Sequence, residues 1–144
     1  GPGAKGNVLS LLKLCRLAAP LPLAAIDNRR SLIFVGNLVD AVIVCLENPA
    51  GGGQTFFVRD GEDLSTPDLI RRVGHALNRP VRLFPVPPAL LRMVGRMTGK
   101  SRTIERLCGS LQVNDDKIRR QLTWTPPFNV VKGLDMMAAW FKNS

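Results

Sequence analysis

Short apolar stretches that read as strands alternate along this chain with amphipathic stretches that read as helices, which predicts an α/β or α+β fold. Two further features agree. The 144 residues suffice for one domain with a real core, without disulfides or metal. The composition, 45% hydrophobic and 22% charged, is that of a folding chain. No internal repeat or interior linker divides it, so residues 1–144 are expected to form one structural part.

The elements follow in order. From Asn7 to about Ala19, the spacing of Val8, Leu11, Leu12, Cys15 and Ala18 marks one helical face, and Pro20 and Pro22 end it. Leu32 to Val35 reads as a strand, followed by a helix from about Asn37 to Glu47 that stops before Pro49 and the glycines at 51–53. Thr55 to Arg59 alternates like a strand and ends at the turn signal Asp60-Gly61. In "LSTPDLIRRVGHALNRP", Thr66 is expected to cap a helix with Pro67 at its first position, its buried face carrying Leu69, Ile70, Val73, Ala76 and Leu77. Val81 to Pro85 is a further strand candidate, and Pro87-Pro88 opens a helix over Ala89 to Met97. "TGKSRTIERLCGSLQV" reads as a loose connection to a helix capped by Asn114 and reaching Leu122. "WTPPF" makes a turn before a last helix from about Val130 to Phe141.

Twenty Lys and Arg against 11 Asp and Glu give a net charge of +9, which attracts anions: nucleic acid, acidic lipid or a phosphorylated metabolite. Arg29 and Arg30, placed before a strand-like run, can be a solvated edge or can await such an anion. Cys15, Cys45 and Cys108 are odd in number and sit in apolar patterns, so they read as small hydrophobes in a reducing, cytoplasmic setting. Lys13, Arg16 and Pro20 interrupt one apolar run, and Asp40 and Glu47 bracket another, so no membrane partner is expected. No signal peptide is visible, and the start "GPGAKG" looks cut from a longer chain.

Several chemistries lack their residues. With no tyrosine and a single histidine, His75 in mid-helix, neither a triad nor a histidine metal cluster can be assembled. "GGGQTFF" is followed by a strand pattern, whereas a phosphate loop leads into a helix N-terminus, so it reads as a connection. Asp60, Glu62, Asp63 and Asp68 surround a turn and a helix start, where a structural role outweighs acid/base work. Arg92, Arg96, Lys100, Arg102 and Arg106 raise nucleic-acid binding as a rival, weakened by few aromatics and no recognisable binding motif. Arg92 and Arg96 read as a solvated face.

"NRRSLIFVGNLVDAV", "TFFVRDGEDLSTPDLIRRVGHALNRP" and "GSLQVNDDKIRRQLTWTPPFNVVKGL" resemble, in order and spacing, the C-terminal half of the NAD-dependent epimerase/dehydratase family. These are the extended short-chain dehydrogenases, and the likeness is greatest to bacterial UDP-hexose 4-epimerases and 4-ketoreductases of polysaccharide synthesis. The resemblance covers nearly the whole chain. It implies an α/β, Rossmann-like protein of which this chain is the C-terminal substrate-binding part, mostly helical with a few short strands, the N-terminal Rossmann half being absent. It implies NAD as cofactor of the parent and none for this chain, and a UDP-sugar as partner.

In that family an arginine before the strand contacts the nucleotide-sugar pyrophosphate. Arg30 occupies the position, and its guanidinium fork suits phosphate oxygens. Arg106 is the nearest match to a second phosphate-binding arginine, with Arg102 a competitor. The nucleobase site is matched by Asn7 with Val8 and by Leu21, Pro22 and Leu23. The family's catalytic Tyr-x-x-x-Lys pair and Gly-rich fingerprint have no match, so no catalytic, cofactor or metal residue is assigned and the chain is expected to be inactive by itself. The sequence departs from the family at Ser31 and Asn37, where acids are usual, at Phe34, where a polar residue is usual, and at Asn114, where aspartate is usual. Epimerase, ketoreductase and dehydratase stay open, as does a basic module that binds nucleic acid or protein. If the strand at Thr55 to Arg59 belongs to a sheet edge, Phe56 and Val58 lose their cover here and self-association follows.

Overall fold

The computed structural model describes residues 7–16 and 19–143, and for Asn7 the backbone alone. Seven helices carry the described chain: α1 (Asn7–Arg16), α2 (Val35–Glu47), α3 (Thr66–Ala76), α4 (Pro88–Met97), α5 (Ser101–Cys108), α6 (Asp116–Leu122) and α7 (Val130–Lys142). Strands β1 (Arg30–Ser31) and β2 (Asp63–Leu64) form a two-stranded ladder. Mostly helical with a few short strands is thus what the residues build. They gather into two compact units: a first of residues 31–63 and 112–143, and a second of residues 7–30 and 64–111.

The first unit has a core of Ala41, Ile118, Leu122 and Trp124, against which Ile33, Val44, Cys45, Phe56 and Val58 pack. The Trp124 indole donates to Asp40 on α2 (2.8 Å), so this buried ring leaves no polar atom unpaired. Helix α2 starts two residues earlier than its pattern suggests. The Asp60 carboxylate accepts the Phe34 N–H at the helix entrance (2.9 and 3.0 Å) and the Asn37 amide (2.7 Å). A fixed acceptor therefore stands where a ladder would otherwise begin, and the expected strand from Leu32 to Val35 does not form.

No strand forms at Thr55 to Arg59 either; the segment is extended without a ladder. Its alternation has a different cause. Phe56 and Val58 turn to the core cluster, Phe57 turns to solvent, and the Lys117 ammonium lies over the Phe56 ring, 5.2 Å from its centroid. Phe56 and Val58 are half-buried, which corrects the expectation that both lie uncovered.

At the start of α6, Asn114 accepts the Asp116 N–H (2.7 Å), forming a side-chain turn one step before the helix where a cap was expected. The helix ends on Thr123 in a left-handed conformation, φ 53°, which is strained for a β-branched residue. Asn129 caps α7 by accepting the Lys132 N–H (2.8 Å).

In the second unit α1 packs on α3, with Leu12, Cys15, Ile70 and Val73 almost fully buried. Residues 17–18 of the first expected helix lie outside the described residues. The cap of α3 is Ser65, whose hydroxyl accepts the Asp68 N–H; Thr66, expected there, stands one place inside and is buried. The strand expected at Val81 to Pro85 is reduced to one parallel bridge between Leu83 and Leu21. Helix α5, expected as a loose connection, packs on α4, where a Cβ at Gly95 would come within 2.8 Å of Ile104. That small residue permits the close approach. The eight residues of α5 are too few for the shared face of Ile104, Leu107 and Cys108 to repeat, which hid the helix from periodicity.

Candidate functional site

Every residue matched to a ligand role lies in the second unit. Residues 7–30 and 64–111 hold 13 Lys and Arg against 3 Asp and Glu, whereas 31–63 and 112–143 hold 6 against 8. The positive charge is therefore a property of the second unit alone.

Its polar centre is Asn28, 1% exposed. The side-chain oxygen accepts the Thr66 N–H (2.8 Å), and the amide nitrogen donates among Thr66 Oγ1 (3.1 Å), the Leu107 carbonyl (3.2 Å) and the Gly109 carbonyl (2.9 Å). Thr66 Oγ1 in turn donates to the Leu107 carbonyl at 2.6 Å. One neutral side chain thus fixes the N-terminus of α3 against the exit of α5. Leaving any of these buried groups unmet would cost about 1–3 kcal/mol.

Arg30 is built on that fixed point. Its Nε donates to the Gly109 carbonyl (3.0 Å), the same oxygen that Asn28 holds. The Arg29 N–H donates to Ser110 Oγ (3.1 Å), and the Leu111 N–H donates to the Arg29 carbonyl (2.9 Å). The backbone just before Arg30 is therefore tied down, and Arg30 itself forms a parallel bridge with Leu111. Of its five N–H donors, Nε is engaged, and no carboxylate pairs with the guanidinium among the described residues. Arg106, exposed in the last turn of α5, lies three residues before Gly109 and likewise has no carboxylate partner among the described residues. Arg102 is exposed in the first turn of the same helix, farther along the chain from Gly109.

The other matched residues fall on the same unit. The Leu21 N–H donates to the Arg82 carbonyl (2.9 Å), the Phe84 N–H to the Leu21 carbonyl (3.0 Å) and the Ala24 N–H to the Phe84 carbonyl (3.2 Å). That clasp holds Leu21 to Ala24, which bends at Pro22 and enters a turn at Ala24, against residues 82–84; Leu21 and Leu23 are buried and Pro22 is half-buried. Asn7 begins α1, and Val8 is half-buried in its first turn.

The acids of the first unit serve its architecture. Asp63 accepts Ser31 Oγ (2.6 Å), the Gln112 amide (2.8 Å) and the Arg59 guanidinium (3.2 Å). The Ser31 and Gln112 hydrogen bonds, with help from Arg59, hold its carboxyl below the ordinary range against the opposing effect of burial. Asp115, 1% exposed, sits between Arg59 (2.9 Å) and Arg119 (2.6 Å). Burial works to raise its carboxyl, but the hydrogen bonds and charges of the two arginines outweigh it and hold it low. Among the cysteines, burial pushes Cys15 up to about 11 and raises Cys108, so neither is a thiolate at neutral pH. His75 is exposed in the last turn of α3. Among the described residues no group of three or more His, Cys, Asp or Glu is placed to hold a metal ion. The structural role expected of Asp60 holds, but its partners Phe34 and Asn37, like the roles of Asn28 and Asp115, carry no sequence signal because each depends on residues more than twenty positions away.

No family model matches the chain. It is 38% identical over 142 residues to UDP-glucose 4-epimerase of Vibrio cholerae, an alignment covering 98% of this chain and 43% of the relative. It is 27% identical over 147 residues to N-acetyl-alpha-D-glucosaminyl-diphospho-ditrans,octacis-undecaprenol 4-epimerase of Escherichia coli O157:H7, covering 94% of this chain and 44% of the relative. Its fold matches the crystal structure of the Bordetella bronchiseptica enzyme WbmF in complex with NAD+, with a TM-score of 0.62 at 20% identity, over 95% of this chain and 36% of that one. The chain therefore has the fold of part of an extended short-chain dehydrogenase. Over nearly its whole length it resembles part of these 4-epimerases, as the likeness to the NAD-dependent epimerase/dehydratase family implies, and it spans less than half the length of the relatives it matches.

Proposed function

We propose that this chain is the nucleotide-sugar-binding portion of an NAD-dependent sugar 4-epimerase or 4-ketoreductase. In this reading Arg30 grips the diphosphate, Arg106 assists, and Asn7, Val8 and Leu21 to Leu23 take the nucleobase. The observation that carries it is Arg30: anchored at Nε on a carbonyl that Asn28 also holds, without a carboxylate partner, in a unit with a ten-charge positive excess. A guanidinium held at one edge presents its remaining donors in fixed geometry, which is what bidentate phosphate recognition needs.

The two relatives' names share a hexose linked to a diphosphate and differ in what lies beyond it, a uridine or a polyprenyl chain. Residues that hold the diphosphate serve either substrate. NAD, when bound, exchanges hydride with the sugar, and a tyrosine would exchange the hydroxyl proton. The sequence has no tyrosine, so this chain's share is to bind and orient.

Calorimetric titration with UDP, uridine, a short prenyl diphosphate and an oligonucleotide tests the reading. UDP should bind, uridine should bind far more weakly, and Arg30→Ala should weaken UDP about tenfold or more, from a charged hydrogen bond worth about 1.5–3 kcal/mol. Arg120→Ala, on an exposed α6 ion pair with Asp116, is the control. Equal affinities for UDP and uridine would refute the diphosphate assignment, and tighter binding of prenyl diphosphate would replace the nucleotide with a lipid carrier. Binding confined to oligonucleotide, falling steeply with salt, would establish the nucleic-acid module instead.

A further inference from the structure

Helix α4 has two apolar sides. One, with Leu91 and Gly95, is buried and meets α5. On the other, Leu90, Met93, Val94 and Met97 recur at the spacing of a single helical face and are 45%, 51%, 48% and 81% exposed. Arg92 and Arg96 share this helix, and Lys100 and Arg102 follow directly, all exposed. The one acid in residues 88–108 is Glu105, which pairs with Arg92 at 3.5 Å.

We propose that α4 and the turn into α5 form a docking surface for an anionic lipid bilayer, with the apolar stripe entering the headgroup region and the basic residues meeting lipid phosphates. Charge selects this occupant. Helix α2 exposes a comparable apolar stripe, Val35, Leu38, Val39, Val42 and Leu46, but its charged residues are Asp40 and Glu47, which an anionic surface repels. On α4 exposed apolar and basic side chains coincide, the combination that holds an amphipathic helix in a membrane interface. Nucleic acid would use the bases and leave the apolar stripe wet; a second copy would have to bring two basic faces together.

No helix among the described residues is long and apolar enough to cross a membrane, and the expectation of no membrane partner rested on that property of the sequence. It bears on spanning, not on docking. The proposal is also independent of the sugar reading, since neither Arg30 nor Arg106 takes part.

The test is sedimentation of the whole chain with phosphatidylcholine vesicles, with and without about 30 mol % phosphatidylglycerol. Binding to the anionic vesicles should exceed binding to the neutral ones at least about tenfold and fall at high salt. Arg96→Gln/Lys100→Gln and Met93→Ser/Met97→Ser should each reduce it about tenfold, with the thermal midpoint and UDP titration unchanged. Equal binding to both vesicles, or none, would overturn the proposal, as would tighter binding to duplex oligonucleotide or self-association abolished by the serine pair. Should a variant fail to fold, the lipid and salt comparisons on the unaltered chain decide alone.

Discussion

In the first unit two buried carboxylates stand beside a buried neutral amide: Asp60 collects the Phe34 and Asn37 donors, Asn37 also holds the Phe128 backbone, and Asp115 lies between Arg59 and Arg119. In the second the buried polar side chains, Asn28 and Thr66, are both neutral, and Arg30 and Arg106 have no carboxylate partner among the described residues. The difference separates two uses of charge. Where acids and bases are matched, they fix the chain to itself; where bases exceed acids, a neutral side chain does the fixing and the bases remain available to an external anion. Arg59 and Arg30 illustrate it. Both are partly buried and hydrogen-bonded through Nε, but Arg59 meets two carboxylates and Arg30 a carbonyl.

The largest expected effect breaks the ionic side. Asp115→Ala removes the carboxylate of Arg119 and one of the two that hold Arg59, and should lower stability by about 3 kcal/mol, read by urea unfolding followed by tryptophan fluorescence, because Trp124 and Trp140 both lie in the first unit. Next comes the neutral centre. Asn28→Ala leaves the buried Thr66 N–H without its partner and takes one of two donors from each of the Leu107 and Gly109 carbonyls, and should cost about 2–3 kcal/mol. Unlike Asp115→Ala, it should also weaken UDP binding, since it loosens the carbonyl that aims Arg30.

The pH response should divide the same way. Asp63 and Asp115 have folded values below their unfolded ones, so their contribution is present above the unfolded carboxylate value of about 3.9 and lost as pH falls below it. The tryptophan signal of the first unit should therefore change in acid. Cys15, in the second unit, has its folded value raised to about 11, so its contribution is present below the unfolded thiol value, about 8.5, and lost as pH rises through 11. Protection factors of the α1 and α3 amides, taken relative to the intrinsic base-catalysed exchange rate, should fall in that alkaline window; a fall in acid instead would break the comparison.

The smallest effect is a gain. Thr123→Gly relieves a left-handed β-branched residue at the end of α6 and should stabilise the first unit by about 1 kcal/mol in the same urea assay.

Much of the helical framework was legible because its signals are local: Pro67 and the 3.6-residue spacing mark α3, Pro88 marks α4, and the turn "WTPPF" marks the approach to α7. Strand signals failed for a stated reason. Alternation at Thr55 to Arg59 reports that Phe56 and Val58 share a face, not that a ladder partner exists. Helix α5 was missed because it is only eight residues long, so Ile104, Leu107 and Cys108 share a face without repeating it, and its support is the glycine notch at Gly95 on another helix. For the candidate site, Arg30 was legible through its place in a family pattern. Asn28 was not, since its bonds to Thr66, Leu107 and Gly109 cross 38 to 81 residues.

The central claim is that the basic unit is the one that takes the diphosphate, and an amide-resolved NMR titration of the chain with UDP tests it most directly. The account predicts saturable shifts concentrated at Arg29 to Ser31, Leu107 to Leu111 and Leu21 to Ala24, and their loss in Arg30→Ala. Shifts centred on α6 and α7, or shifts that uridine reproduces in full, would contradict it.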